Sequence, residues 1–262
     1  MGQNHFEPKL NKKRVLNHEE HTVYSVNGFA VRNFARADEE FGNFATQDDF
    51  PDLIPRSEIW ISEKLAAREG VFFIANALTE CKWKAGGAAE RAYDEGLEME
   101  RALREKLNGV EFRDGKPHKR VPSAIYIEHY IDLPDPEGPV KVWIVDGNLV
   151  RSYYKTDYTE GGHGYVYPWV PRREIWIEDG VDRRELPFIV CHEYLERRLM
   201  RDERLDYESA HAICSRVEFE LRKARGATPL LATRRRKLHK KDLIRLSKDE
   251  VFQFVQRRYV RK

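Results

Sequence analysis

Within the segment 188–200, FIVCHEYLERRLM, one histidine and two glutamates fall inside five positions: His192, Glu193 and Glu196. On a helix, positions i and i+4 share a face, so the His192 imidazole and the Glu196 carboxylate can converge on one point. Glu193 sits beside them, offset by about 100° around the helix. Ile189 and Leu199 fall close to the same stripe, so two polar side chains point toward an apolar side. A carboxylate there requires a cation or several hydrogen-bond donors, because burying it unpaired is costly. The next helical pattern, DYESAHAICSRVE at 206–218, sets Tyr207, His211, Cys214 and Glu218 on one face, beside the apolar stripe Ala210, Ile213, Val217 and Leu221. Two antiparallel helices built from these segments can present His192, Glu196 and His211 to a single centre. The alternative that uses no metal is a salt-bridged helix in which Glu193 or Glu196 pairs with Arg197 or Arg198, with His211 a core histidine.

The run His192-Glu193-Tyr194-Leu195-Glu196 resembles the active helix of the zincin metallopeptidases, which reads His-Glu-x-x-His and follows a strand. The resemblance spans about 45 residues, and a glutamate replaces the second histidine. It implies that His192 is the first metal ligand and that Glu193 is the general base acting on metal-bound water. Glu196 then stands at the second ligand position. The remaining ligand comes from the following helix, with His211 first and Glu218 or Glu208 behind it. Such a two-histidine, one-carboxylate set suits zinc with an open position, and Mn or Fe accept the same donors. By the same resemblance the preceding strand, EIWI at 174–177, runs beside the cleft and pairs with an extended peptide substrate. The implied function is a metal-dependent hydrolase, a peptidase acting on a peptide or protein. The rival from another class is a non-catalytic nucleic-acid-binding or assembly protein, in which the His/Glu cluster is structural.

Other reactive residues are less specific. His163 lies in a Gly-rich stretch, EGGHGYVY, with Tyr165 close by. Either could bind substrate or polarise a carbonyl, while the competing reading is a surface loop. The stretch lacks the Gly-Lys-Ser/Thr ending of a phosphate loop. Cys81, Cys191 and Cys214 are too few for a disulfide framework, which suits a reducing compartment.

The elements that must position these residues occur twice. VYSVNGFAVR (23–32) matches VWIVDGNLVR (142–151), and IPRSEIWI (54–61) matches VPRREIWI (170–177). In this register Asn76 aligns with His192, Ala77 with Glu193 and Glu80 with Glu196, and no histidine lies between Asn76 and Lys106. The repeat predicts an N-terminal arm (1–22), a site-less unit (23–107), a linker (108–124), a metal-bearing unit (125–224) and a C-terminal arm (225–262). Each unit is expected to be α+β: a small sheet, made of a hairpin and a third strand, followed by two helices. Asn27-Gly28 and Asp146-Gly147 are read as the hairpin turns. The third strands are expected at 58–61 and 174–177, with Trp60 and Trp176 as core anchors. In the second unit the helices are expected at about 184–201 and 206–224, with Pro187 in the first turn of one and Asp206 capping the other.

Charge divides the chain. From Arg222 to the end there are 15 Lys or Arg against three acids, a net +12 within an overall +2. An acidic body with a basic arm points to nucleic acid or another polyanion as a partner of 222–262, or to an arm folded onto the body. The 262 residues, 41% hydrophobic and 11% aromatic, exclude wholesale disorder. No stretch approaches the roughly 20 apolar residues of a membrane span, and the start lacks the apolar core of a secretory signal. Together these features predict a cytoplasmic protein.

Overall fold

The computed structural model describes residues 10–35, 39–108 and 123–224; the arm from 225 onward and most of the 108–124 linker lie outside the described residues. In the first unit, β1 (Lys13–His18) and β2 (His21–Val26) form an antiparallel hairpin that turns at Glu19, with a φ of 51°. A short helix, α1 (Gly28–Phe34), then leads across to β3 (Phe44–Ala45) and β4 (Glu58–Ser62). β2 and β4 pair in parallel and β3 covers the far side of β4, giving the order β1-β2-β4-β3. The second unit repeats this with β5 (Tyr126–Leu133), β6 (Val140–Val145), α4 (Gly147–Tyr153), β7 (Gly161–His163) and β8 (Glu174–Glu178), in the order β5-β6-β8-β7. The fold is thus α+β, with two four-stranded sheets, each followed by two helices.

Three expectations need correction. Asn27-Gly28 and Asp146-Gly147 do not turn hairpins, because a helix follows each. Asn27 caps α1, its side chain accepting the N–H of Ala30 at 3.2 Å. The residues that favour tight turns are also strong helix caps, and a parallel β2–β4 pair needs a crossover rather than a turn. Second, EIWI has no free edge. β8 is bonded to β6 on one side and β7 on the other, so it cannot accept a substrate strand. Third, the Gly-rich stretch around His163 is the edge strand β7, not a surface loop. A side chain at Gly161 would put its Cβ 2.9 Å from Ile177 Cδ1 and 3.1 Å from the Trp176 carbonyl oxygen. Glycine there permits the close approach of β7 to β8.

The sheets present equivalent faces. Val23, Ile59 and Ile61 pack with Leu65, Phe73 and Ala77 of α2 (Glu63–Ala85). Val142, Ile175 and Ile177 pack with Ile189, Val190 and Tyr194 of α5 (Leu186–Asp202). Trp60 and Trp176 are buried, and each indole N–H donates to the glutamate two residues earlier, at 2.7 and 2.8 Å. The third helices are α3 (Ala89–Asn108) and α6 (Tyr207–Ala224). Pro187 lies in the first turn of α5, and Asp206 accepts the Ser209 N–H at 2.8 Å to cap α6.

Spatial grouping departs from chain order at one place. Asn148–Thr159, carrying most of α4, group with the first unit. There Arg151 donates twice to Glu69 on α2, at 2.7 and 2.8 Å, and once to the Tyr158 carbonyl at 2.8 Å. No helix among the described residues is long and apolar enough to cross a membrane.

Candidate metal centre

The seam between α5 and α6 is apolar: Cys191, Leu195 and Leu199 meet Ala210, Cys214, Val217 and Leu221. Helical periodicity places the polar donors next to this seam. His192 and Glu196 lie one turn apart on α5, and His211 faces them from α6. His192 Nε2 is 3.2 Å from His211 Nδ1 and 3.4 Å from Glu196 Oε2; His211 Nδ1 is 2.9 Å from the same oxygen. Donors about 2.0–2.1 Å from a tetrahedral zinc stand roughly 3.3 Å from one another. The spacing therefore fits a single ion.

His192 and Glu196 are held from behind. His192 Nδ1 lies 2.9 Å from Glu218 Oε2, which fixes the ring so that Nε2 faces the centre. Glu218 Oε1 in turn accepts from Arg222 at 2.7 and 2.8 Å, and Arg222 reaches Glu185 at 2.9 Å. Glu196 Oε1 lies 3.1 Å from His163 Nε2, and the Tyr165 N–H meets His163 Nδ1 at 3.2 Å.

The cluster perturbs its own proton affinities. Burial works against ionised Glu196, yet hydrogen bonds from His163, His192 and His211 outweigh it and hold the carboxyl far below the usual range. Burial likewise opposes charge on His192, but bonds to Glu196 and Glu218 raise its pKa well above the ordinary value. For Glu193, burial and the neighbouring Glu196 charge act together and push the pKa up to about 8. Donor atoms of Glu193, His163 and Glu196 lie within 4.8 Å of one another, forming a second, adjoining group.

The structure therefore brings together His192, Glu196 and His211, with Glu193 alongside. Glu218 lies behind His192 rather than facing the centre, and Glu208 is exposed in the first turn of α6, outside the cluster. His163 is fully buried against Glu196. Tyr165 contributes its backbone N–H, while its ring lies 4.3 Å beneath the Arg172 guanidinium. Sequence reasoning missed Arg222 and Glu185. Arg222 sits four residues after Glu218, a spacing that signals a helical ion pair, but nothing in the sequence ties it to Glu185. No protein-family model, curated protein or solved structure matches this chain.

Proposed function

We propose that this chain is a metal-dependent hydrolase, a zincin-like peptidase with His192, His211 and Glu196 as ligands and Glu193 as general base. The observation that carries this reading is the convergence of two imidazole nitrogens and one carboxylate oxygen at 2.9–3.4 Å from one another. Two neutral donors and one anion suit zinc and leave a coordination position open; Mn and Fe accept the same set. When bound, the ion supplies a Lewis acid that polarises a carbonyl and makes water more acidic. Glu193 neighbours the ligand pair without belonging to it. Burial and the Glu196 charge push its pKa up to about 8 against the lowering by His192 and His211, and a nearby cation favours its ionised form, which suits a general base. His211 and Tyr207, tilted against each other at 5.1 Å, mark the exposed side of the cluster, where a substrate would enter.

Elemental analysis of protein purified without chelator, with peptide hydrolysis measured in parallel, tests this reading. One zinc, manganese or iron per chain and cleavage that chelator abolishes are expected. Protein without metal would sink the ligand assignment. Bound metal with no cleavage of varied peptides would leave a structural site. The basic segment carries a separate expectation, binding to polyanions, tested by salt-dependent retention on heparin.

A further inference from the structure

Glu196 can act as a ligand only while one of its oxygens is kept aimed at His192 and His211. The buried side chain that meets its other oxygen is His163, whose Nε2 lies 3.1 Å from Oε1. Nδ1 of the same ring faces the Tyr165 N–H at 3.2 Å. A neutral imidazole has one proton, and a nitrogen that accepts a hydrogen bond cannot carry it. The proton therefore sits on Nε2, which donates to Glu196 and has no lone pair to offer a cation. We propose that His163 is a positioning residue and not a ligand: it fixes Glu196 so that Oε2 alone faces the centre, and the centre holds one ion although His163, Glu193 and Glu196 stand close enough for a second. The proposal rests on the reading of His192, His211 and Glu196 as ligands.

The first unit gives an independent comparison. Strand pairing puts Ala45 opposite Trp60 and Gly162 opposite Trp176, so Thr46 stands at the position of His163. The repeat register puts Glu80 at Glu196 and Lys84 at Met200. Glu80 pairs with Lys84 one turn along α2, at 3.3 Å, while Thr46 is turned to Asp49 through its hydroxyl and its N–H, at 3.1 and 2.7 Å. In the second unit methionine replaces that lysine, so α5 offers no cation at i+4, and the partner of Glu196 Oε1 comes from the sheet. The sheet supplies a histidine to the glutamate in the unit where the glutamate's other oxygen faces two more imidazoles, His192 and His211.

Two substitutions in the full chain separate positioning from ligation. His163→Gln keeps an N–H donor near the position of Nε2; His163→Leu keeps the bulk without the donor. The measurements are metal per chain, affinity for Zn(II) and Co(II) by competition with a chromophoric chelator, and the visible spectrum of the Co(II)-loaded protein. One ion per chain is expected in all three proteins. The leucine variant should bind about 10–100-fold more weakly, the usual loss for an outer partner of a ligand, and the glutamine variant within about threefold of wild type. The Co(II) spectrum of the glutamine variant should be unchanged. Two ions in wild type falling to one in both variants would make His163 a ligand of a second ion. A glutamine variant as weak as the leucine one, with an altered spectrum, would make it a ligand of the single centre. Undiminished binding by the leucine variant would leave it no role. Any of these overturns the proposal, whereas a wild-type chain that binds no ion overturns the ligand assignment beneath it. If the leucine variant fails to fold by circular dichroism, the glutamine variant alone decides.

Discussion

The first unit contains the framework of the candidate metal centre, with a glutamate at the carboxylate position but without the two imidazoles. Glu69 accepts from Arg104 at 2.9 Å, Arg104 donates to Glu100 at 2.9 Å, and Asn76 donates to Glu100 at 2.7 Å. In the second unit Glu185, Arg222, Glu218 and His192 make the same chain of contacts at 2.9, 2.8 and 2.9 Å. The relay is common scaffold: two carboxylates, buried except for the half-buried Glu218, joined by one buried guanidinium that crosses between the helices. What differs is the residue at its end and those around it, Asn76 against His192, Ala77 against Glu193, Tyr93 against His211 and Thr46 against His163. The carboxylate next to the end residue shifts in opposite directions in the two units. Burial raises the pKa of Glu100 above the usual range despite Arg104 and Asn76. For Glu218 the same burial is outweighed by Arg222 and His192, and the pKa falls. The same scaffold thus holds this carboxylate above its usual range in the first unit and below it in the second, where His192 adds to the arginine.

The comparison breaks most sharply if the second unit is made like the first. His192→Asn removes a ligand but keeps an N–H to meet Glu218, as Asn76 meets Glu100. Metal affinity should fall by more than about 100-fold, the upper range for loss of an outer partner, and hydrolysis should fall with it. The thermal transition of the metal-free protein should move little. A large loss of fold would show that the amide does not substitute in this relay.

The reverse contrast lies in the first unit, where Arg151 gives Glu69 a second buried cation. Arg151→Ala should cost about 3 kcal/mol, the low end for breaking a buried pair, because Arg104 remains on Glu69. Burial alone would raise the Glu69 pKa, but Arg151 and Arg104 outweigh it and lower the value from 4.5. A folded-state pKa below the unfolded one contributes stability in full above about pH 4.5 and loses it as pH falls toward the folded value. The variant should therefore show a shallower loss of stability below pH 4.5 than wild type in urea titrations. Metal content should be unchanged, since every proposed ligand lies in the second unit.

Two substitutions in the second unit separate chemistry from positioning. Glu193→Gln should lower hydrolysis by at least about 100-fold with the metal retained, the lower range for losing a general base. Glu218→Gln should weaken metal binding by about 10–100-fold, because the carboxylate that orients His192 is lost. In the first unit Glu80→Gln, at the position of Glu196, and Glu100→Gln, at that of Glu218, should alter neither property. Equal activity in wild type and Glu193→Gln would remove that residue from the mechanism.

Much of this contrast was legible in the sequence, because helical spacing of 3.6 residues is enough to bring His192, Glu196 and His211 to one side of two adjacent helices. The repeat register also showed that Asn76 and Ala77 replace the His-Glu pair. Other features depend on pairing that spacing does not encode. The sequence around His163 reads as a loop because glycine-rich stretches signal a turn far more often than a tightly packed edge strand. The Asn-Gly and Asp-Gly dipeptides mislead for a related reason, since turn and cap chemistry share residue types and only the following strand's direction distinguishes them. The Glu185–Arg222 contact joins residues 37 apart, and the grouping of Asn148–Thr159 with the first unit is a choice among long-range contacts. Neither leaves a periodic trace.

The smallest effect, and the sharpest for the comparison, is to write the centre into the first unit. Asn76→His and Tyr93→His supply the two imidazoles, and Glu80 already stands at the carboxylate position. Gly96 lies against Asn76, with an ideal Cβ only 2.2 Å from Oδ1, where the second unit has Cys214. The added imidazole therefore meets backbone and not a side chain. Glu100 can orient the new ring as Glu218 orients His192. Lys84 opposes the change, since it holds Glu80 at 3.3 Å, so Lys84→Met belongs in the set. Made in a His192→Asn background, where the native centre is silent, the triple change should restore up to one ion per chain. Its affinity should be about 10–100-fold below that of the native centre, because Thr46 cannot aim Glu80 as His163 aims Glu196. Restoring Lys84 should weaken the graft further, and adding Thr46→His should strengthen it. If none of these variants binds an ion in chelator competition, the differing positions named here do not account for the contrast between the units, and the site depends on backbone placement that the first unit lacks.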